Sequence, residues 1–180
     1  MRRVLGVLVV LVVLVGVGAA PCAAREKIPI YVGGSLFFPT ASSTRDAFGG
    51  TWPQLSVGWL DTEKPNKWEA TFDLSSFKCD DEYEARLIPL TVGVQRGIGS
   101  DSTKALQPYV ALRAGPYYGR VEAEALGIGE TRIGINANAA VGVVIHERYF
   151  VEGRYDYFGR VAGFDVGGFS ISAGVRVFDL

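Results

Sequence analysis

The segment 131–145, TRIGINANAAVGVVI, admits few folds. Ile133, Ile135, Ala137, Ala139, Val141, Val143 and Ile145 fall on one side of an extended chain. Arg132, Gly134, Asn136, Asn138, Ala140, Gly142 and Val144 fall on the other. Successive side chains of a β-strand point to opposite faces, so this strand has one apolar face and one face of small or polar groups. Residues 165–180, DVGGFSISAGVRVFDL, repeat the pattern: Phe169, Ile171, Ala173, Val175 and Val177 oppose Gly168, Ser170, Ser172, Gly174 and Arg176. A long one-sided strand placed last suggests a sheet that closes on itself.

The same period runs through the rest of the chain. Strands are expected at about 27–38, 48–60, 68–78, 84–98, 105–118, 131–145, 149–158 and 165–180. The weak points are Pro53 in the second and the phase of Leu87 and Pro89 in the fourth. Turn-rich or polar segments separate them: Pro39–Ala47, Asp61–Lys67, Cys79–Tyr83, Gly99–Lys104, Gly119–Glu130 (with a possible helical turn at VEAEALG), His146–Arg148 and Gly159–Phe164. The even count, joined by short connections, predicts an all-β, eight-stranded antiparallel up-and-down barrel. There is no internal repeat or linker, so residues 25–180 read as one domain.

Ahead of it, Met1-Arg2-Arg3, the apolar run Val4–Val17 and the small residues ending at Cys22-Ala23-Ala24 have the layout of a secretory signal peptide, residues 1–24, cleaved after Ala24. A retained anchor is the alternative, and Pro21 before Cys22 argues against lipidation. No later apolar run reaches the roughly 18 residues of a transmembrane helix. The net charge of −1 gives no reason to expect a nucleic-acid partner. With Cys22 removed, Cys79 is the only thiol, which excludes an internal disulfide, and one Cys with one His makes a classical metal cluster or a metal cofactor unexpected.

Alternation alone does not say which face is wet. An apolar interior gives a soluble, lipocalin-like carrier, secreted or periplasmic; an apolar exterior gives a transmembrane barrel. The opposite face decides between them. In the fifth, sixth and eighth strands it holds Gly, Ala, Ser and Asn with isolated Arg113, Arg132 and Arg176, where a solvated surface would carry many Lys and Glu. All five lysines lie at or before Lys104. Small groups mixed with Tyr109, Arg113, Arg132, Glu152, Arg154, Asp156 and Arg176 suit a crowded interior with a structural polar network. The apolar face then meets lipid, where every backbone polar group must be paired within the protein and an open edge is not tolerated. Trp59, Trp68, Tyr118, Tyr149 and Tyr157 fall near strand ends, as an interfacial girdle would. A periplasmic N-terminus puts the Asp61–Lys67, Gly99–Lys104 and His146–Arg148 connections on the periplasmic side and the other four outside.

Gln107-Pro108-Tyr109-Val110, the Gly-rich strand at 131–145, Tyr155-Asp156-Tyr157 and Ser172–Phe178 carry a resemblance to the small eight-stranded outer-membrane proteins, the OmpA-like and opacity-type barrel domains. It covers essentially the whole mature chain. The motifs are degenerate and identify an architecture rather than one protein. The resemblance implies a place in the outer membrane of a double-membraned bacterium, outer-membrane lipid as surroundings, and insertion by the barrel assembly machinery. That machinery would read a C-terminal signal comprising Val175, Val177, Phe178 and Leu180. Phe178 is out of phase with Val175 and Val177, so a terminal bulge, or a shifted register that uses Leu180, is expected.

An eight-stranded barrel is just wide enough for side chains to fill it, which argues against a general pore. The expected role is structural or one of surface interaction through the external loops, with the loop partner open. A small gated channel and a lipid-modifying barrel enzyme are the further alternatives. For the enzyme, His146 lacks a serine two residues on, and nothing in the sequence sets a nucleophile beside a base. No catalytic residue is assigned. Gly50-Thr51-Trp52 is the best support for the soluble carrier, with Trp52 as an interfacial aromatic the competing reading. Asp80, Asp81 and Glu82 read as a solvated loop.

Overall fold

Eight strands pair in sequence order, and the last closes on the first. The structure, a computed structural model, describes residues 29–60, 68–80, 84–99, 105–123 and 128–179. Residues 1–28, with the expected signal peptide 1–24, lie outside the described residues, as do 61–67, 81–83, 100–104, 124–127 of the suggested helical turn, and Leu180. The strands are β1 Pro29–Pro39, β2 Trp52–Trp59, β3 Trp68–Asp80, β4 Glu84–Gly97, β5 Leu106–Ala123, β6 Ile128–Ile145, β7 Tyr149–Phe158 and β8 Gly168–Asp179. Among the described residues one short helix, α1 (Ser42–Phe48), interrupts the β1–β2 connection. Every neighbouring pair is antiparallel, including β1 with β8. Closure gives every strand a neighbour on both sides, and only the outer ribbon of β5 and β6 runs on beyond its other neighbours.

Side-chain alternation matches the sequence pattern and fixes its sense. In β7 the inward residues Phe150, Glu152, Arg154, Asp156 and Phe158 are buried, and Tyr149, Val151, Gly153, Tyr155 and Tyr157 are exposed. On β6, Ile133, Ile135 and Val141 are 76 %, 72 % and 63 % exposed, whereas Asn136 and Asn138 are buried. The outer surface of the sheet is therefore the apolar one. In β4, Leu87 and Pro89 point inward and Val92 and Val94 outward, which resolves the phase of that strand.

The inward glycines make room for rings. Gly142 faces Tyr109 in the β5–β6 ladder, and a Cβ there would lie 2.6 Å from the Tyr109 ring. Gly134 seats Tyr117 in the same way. Phe150 lies over Gly174, its partner on β8. In each pair a bare backbone carries the neighbouring strand's aromatic across the narrow lumen.

Three expectations are corrected. The segment 119–130 is not a long loop: β5 and β6 stay paired as far as Ala123 and Ile128, so residues 121–123 are strand and not helical. The TASSTRD segment is not loop throughout, because Ser42–Phe48 coils into α1. Trp52 is not an interfacial aromatic. It is fully buried under α1, and its indole N–H donates to the carbonyls of Phe48 (2.9 Å) and Gly49 (3.1 Å), satisfying groups a helix end leaves open.

The bulge expected near the C-terminus is present. Ile30 pairs with Phe178 and Tyr31 with Arg176, so Val177 is the extra residue on β8. An extra residue resets the phase of a strand. Val177 and Phe178 consequently both sit on the outer surface, 48 % and 53 % exposed.

Candidate functional site

The lumen is built in three tiers. At the end carrying α1, Phe37, Phe48, Trp52, Phe77, Leu87, Tyr117 and Phe158 form an apolar plug. Its rings meet edge-on: Phe37 with Phe77 at 4.9 Å between centroids, Phe77 with Phe158 at 5.6 Å, and Tyr117 with Phe158 at 5.3 Å. At the other end, where both described termini lie, Tyr31, Leu60, Tyr109, Val144 and Phe150 form a second apolar group. Between them lies a belt of buried polar and charged side chains.

That belt is organised by β7. Its inward positions place Glu152, Arg154 and Asp156 in a row of alternating sign, all at most 4 % exposed. Glu152 accepts from Arg113 on β5 (2.9 Å) and from the Tyr109 hydroxyl (2.8 Å). Arg154 donates through Nε to Asp156 (2.8 Å) and through Nη1 to Asp73 on β3 (3.1 Å). It also lies 4.0 Å from Glu152. β3 and β7 are four strands apart in a ring of eight, so the Arg154–Asp73 pair spans the bore. Charges taken out of water are costly unless paired, and here each is met by an opposite charge at hydrogen-bond distance.

Of the seven residues expected in the network, Tyr109, Arg113, Glu152, Arg154 and Asp156 come together. Arg132 does not. It is exposed at the plugged end and donates to the Arg160 carbonyl (2.7 Å), because at that height β6 has risen past the lumen. Arg176 does not join either. At the opposite rim it binds Asp179 (2.6 Å from Nε) and approaches the Glu147 carbonyl (3.5 Å), since it precedes the bulge at the mouth of the barrel. Asp73 was the missed member. Its strand read as simple alternation, and only closure of the sheet carries β3 round to face β7.

The plugged end is also roofed. The β7–β8 connection folds back as a small hairpin in which Val161 and Phe164 exchange backbone hydrogen bonds (3.0 and 2.9 Å) around Ala162 and Gly163. Both of those residues have positive φ, as a tight hairpin turn with matching twist requires. Val161 and Val166 are fully buried in the plug, and Phe164 packs on Phe48 at 5.0 Å between centroids. Thr44 of α1 donates to the Asp165 carbonyl (2.5 Å) and Thr40 to that of Gly167 (2.9 Å), tying the two pieces together. Below the plug, a cavity of about 30 Å³ is lined by Asp73, Tyr109, Arg113, Glu152 and Arg154 among others. That is room for a water or two and not for an apolar ligand.

A closed ring of eight meandering antiparallel strands, apolar outside and charged within, is a combination soluble barrels do not use. The fold is that of the small eight-stranded outer-membrane barrels. Solved structures agree. The barrel is similar to Neisserial surface protein A, with a TM-score of 0.57 at 16 % identity over 85 % of this chain and all of that one. It is similar to the outer-membrane enzyme PagL, with a TM-score of 0.53 at 12 % identity over 82 % of this chain and 98 % of that one. A third similar structure is the N-terminal barrel domain of Pseudomonas aeruginosa OprF, with a TM-score of 0.50 at 18 % identity over 87 % of this chain and 98 % of that one. The sequence matches no protein-family model and no curated protein. At such identities the likeness is one of fold.

Proposed function

We propose that this chain is an outer-membrane barrel protein of a double-membraned bacterium, with a structural or surface-interaction role, a side-chain-filled lumen and no general pore. One observation carries the reading: the barrel is inverted relative to a water-soluble protein. Val32, Leu36, Leu55, Val92, Leu112, Ile133, Ile135, Val141, Phe169 and Ile171 are 44–76 % exposed around it, while Arg113, Glu152, Arg154 and Asp156 are buried inside. Exposed apolar area on this scale needs a covering, and hydrocarbon supplies one all the way round. Trp68, Tyr149 and Tyr157 are exposed toward the margins of that surface, where an aromatic girdle belongs.

The soluble carrier loses its support, because the interior holds charge in place of an apolar cavity and Trp52 belongs to the plug. The enzyme reading stays weak for a local reason. His146 lies in the tight β6–β7 turn with φ 50, and among the described residues its imidazole has no hydrogen-bond partner. Surface interaction falls to the roofed end, where α1, the 159–167 hairpin and the extended β5–β6 ribbon face outward, the topology that places both described termini on the periplasmic side. Fractionation with a heat-modifiability gel tests the proposal. A membrane-pellet band that shifts on boiling supports it; full recovery in the soluble periplasm refutes it.

A further inference from the structure

The charged belt is satisfied differently on its two sides. The donors that find no partner among the described residues, Arg113 Nε, Arg154 Nη2 and Trp59 Nε1, belong to residues lining the small cavity, where a water can meet them. The unpartnered acceptors Asp156 Oδ1 and Asn136 Oδ1, with the unpartnered Ser170 hydroxyl, lie on the other side, toward the plug. All three residues are at most 1 % exposed. Asn136 stands opposite Phe158 and Ser170 opposite Phe37, both plug rings, and Asp156 precedes Phe158 by two positions on β7. Asn138 and Gly168 are directly opposite Asp156, so Asn136 and Ser170 are its diagonal neighbours on either side. Diagonal neighbours are about 7–8 Å apart, a span that one ligand between two side chains can bridge. The unpartnered donor at this height is the Gln54 amide, opposite Phe77 and three strands round the ring from β7.

Charge counting points the same way. In the belt two guanidiniums, Arg113 and Arg154, face three carboxylates, Glu152, Asp156 and Asp73. Arg113 and the Tyr109 hydroxyl serve Glu152. Arg154 is shared by Asp73 and Asp156. Asp73 also accepts from the Ser75 hydroxyl and borders the cavity, so water reaches it. Asp156 has the Arg154 Nε bond on Oδ2, and its other oxygen is buried bare. The belt's surplus negative charge therefore falls on Asp156 Oδ1, beside two further bare oxygens. Buried charge and buried acceptors left in that condition are costly.

We propose that Asp156, Asn136 and Ser170 form a binding site for one alkali-metal cation, sodium or potassium, held between the charged belt and the plug. A carboxylate, an amide carbonyl and a hydroxyl are the hard oxygen donors such a cation takes. A single positive charge brings the belt to neutrality. A divalent ion would overshoot it and asks for about six or more oxygens. The bound ion ties β6, β7 and β8 together from inside, at the height where the plug begins. The site concerns the lumen alone and is independent of what covers the outer face.

Two measurements test it. In crystals of the full barrel grown with thallium(I), a heavy stand-in for potassium, anomalous scattering should show one lumenal peak bounded by Asp156, Asn136 and Ser170. A lumen without that peak overturns the site, and this measurement needs no variant. In solution, the barrel is refolded in mixtures of potassium chloride and choline chloride at constant ionic strength, and urea unfolding is followed. The ion binds only the folded barrel, so once the site is filled each tenfold rise in potassium should shift the equilibrium about tenfold toward the folded form. Asp156→Asn should abolish that dependence and Asn136→Ala weaken it, with a heat-modifiability gel showing that each variant folds. Equal stability in choline and potassium, or an unchanged dependence in Asp156→Asn, overturns the site. So does an infrared band of a protonated carboxyl group in wild type that Asp156→Asn removes, since a proton would then stand in the cation's place.

Discussion

Arginine placed at successive outward positions of β6 should be penalised according to depth. Ile133 to Ile145 carries the apolar run, and Ala139 is its middle residue. With a rise of about 3.3 Å per residue and a tilt near 40°, each residue advances about 2.5 Å along the barrel axis. Ala139 then lies near the midplane, Val141 about 5 Å from it and Ile145 about 15 Å from it, beyond a hydrocarbon half-thickness of about 12 Å. Arginine on the lipid face costs about 2–4 kcal/mol at the midplane and about 0–1 at the interface. The expected penalties are therefore about 3 kcal/mol for Ala139→Arg, about 2 for Val141→Arg and under about 1 for Ile145→Arg. Equilibrium urea unfolding in lipid vesicles measures the series. A flat series, or Val141→Arg folding as stably as wild type, would refute the assignment of the outer face to lipid.

Two further predictions concern the interior and its ends. Arg154→Ala leaves the buried Asp156 and the half-buried Asp73 without their shared cation and should cost about 3–5 kcal/mol by urea unfolding, whereas a loss under about 1 kcal/mol would mean that water replaces the cation at little cost. Glu147 has φ 57 in the β6–β7 turn, a conformation a Cβ disfavours, so Glu147→Gly should be about 1 kcal/mol more stable than Glu147→Ala. Equal stability of those two variants would show that the turn stores no such strain.

How far the sequence could be read follows from where each strand lies relative to lipid. β7 matches its expected span, Tyr149–Phe158, because all of it alternates apolar out and polar in. The outer reaches of β5 and β6 were missed because the alternation there is reversed. Arg120 and Glu122 point outward and Val121 is buried in the plug, as they should be above the hydrocarbon, where the exterior meets water. The plug was missed for the same reason: Phe37, Phe77, Leu87 and Phe158 are apolar residues on the nominally polar face, at strand ends. α1 has seven residues, no side-chain N-cap hydrogen bond and only Thr44 and Phe48 buried, so packing and not local propensity makes it helical. In the charged belt, the β7 row was legible from one strand. Asp73 was not, since its partner Arg154 is 81 residues away.

The central claim is that the barrel's apolar face is outside and its polar face is sealed. Nitroxide labels placed singly at residues 137–143, in a Cys79→Ser background folded into vesicles, test it directly. Collision rates with oxygen and with a water-soluble nickel complex are then compared position by position. The account predicts a period of two: positions 137, 139, 141 and 143 accessible to oxygen and shielded from nickel, and 138, 140 and 142 shielded from both. Nickel access at the odd positions, or no alternation at all, would contradict it.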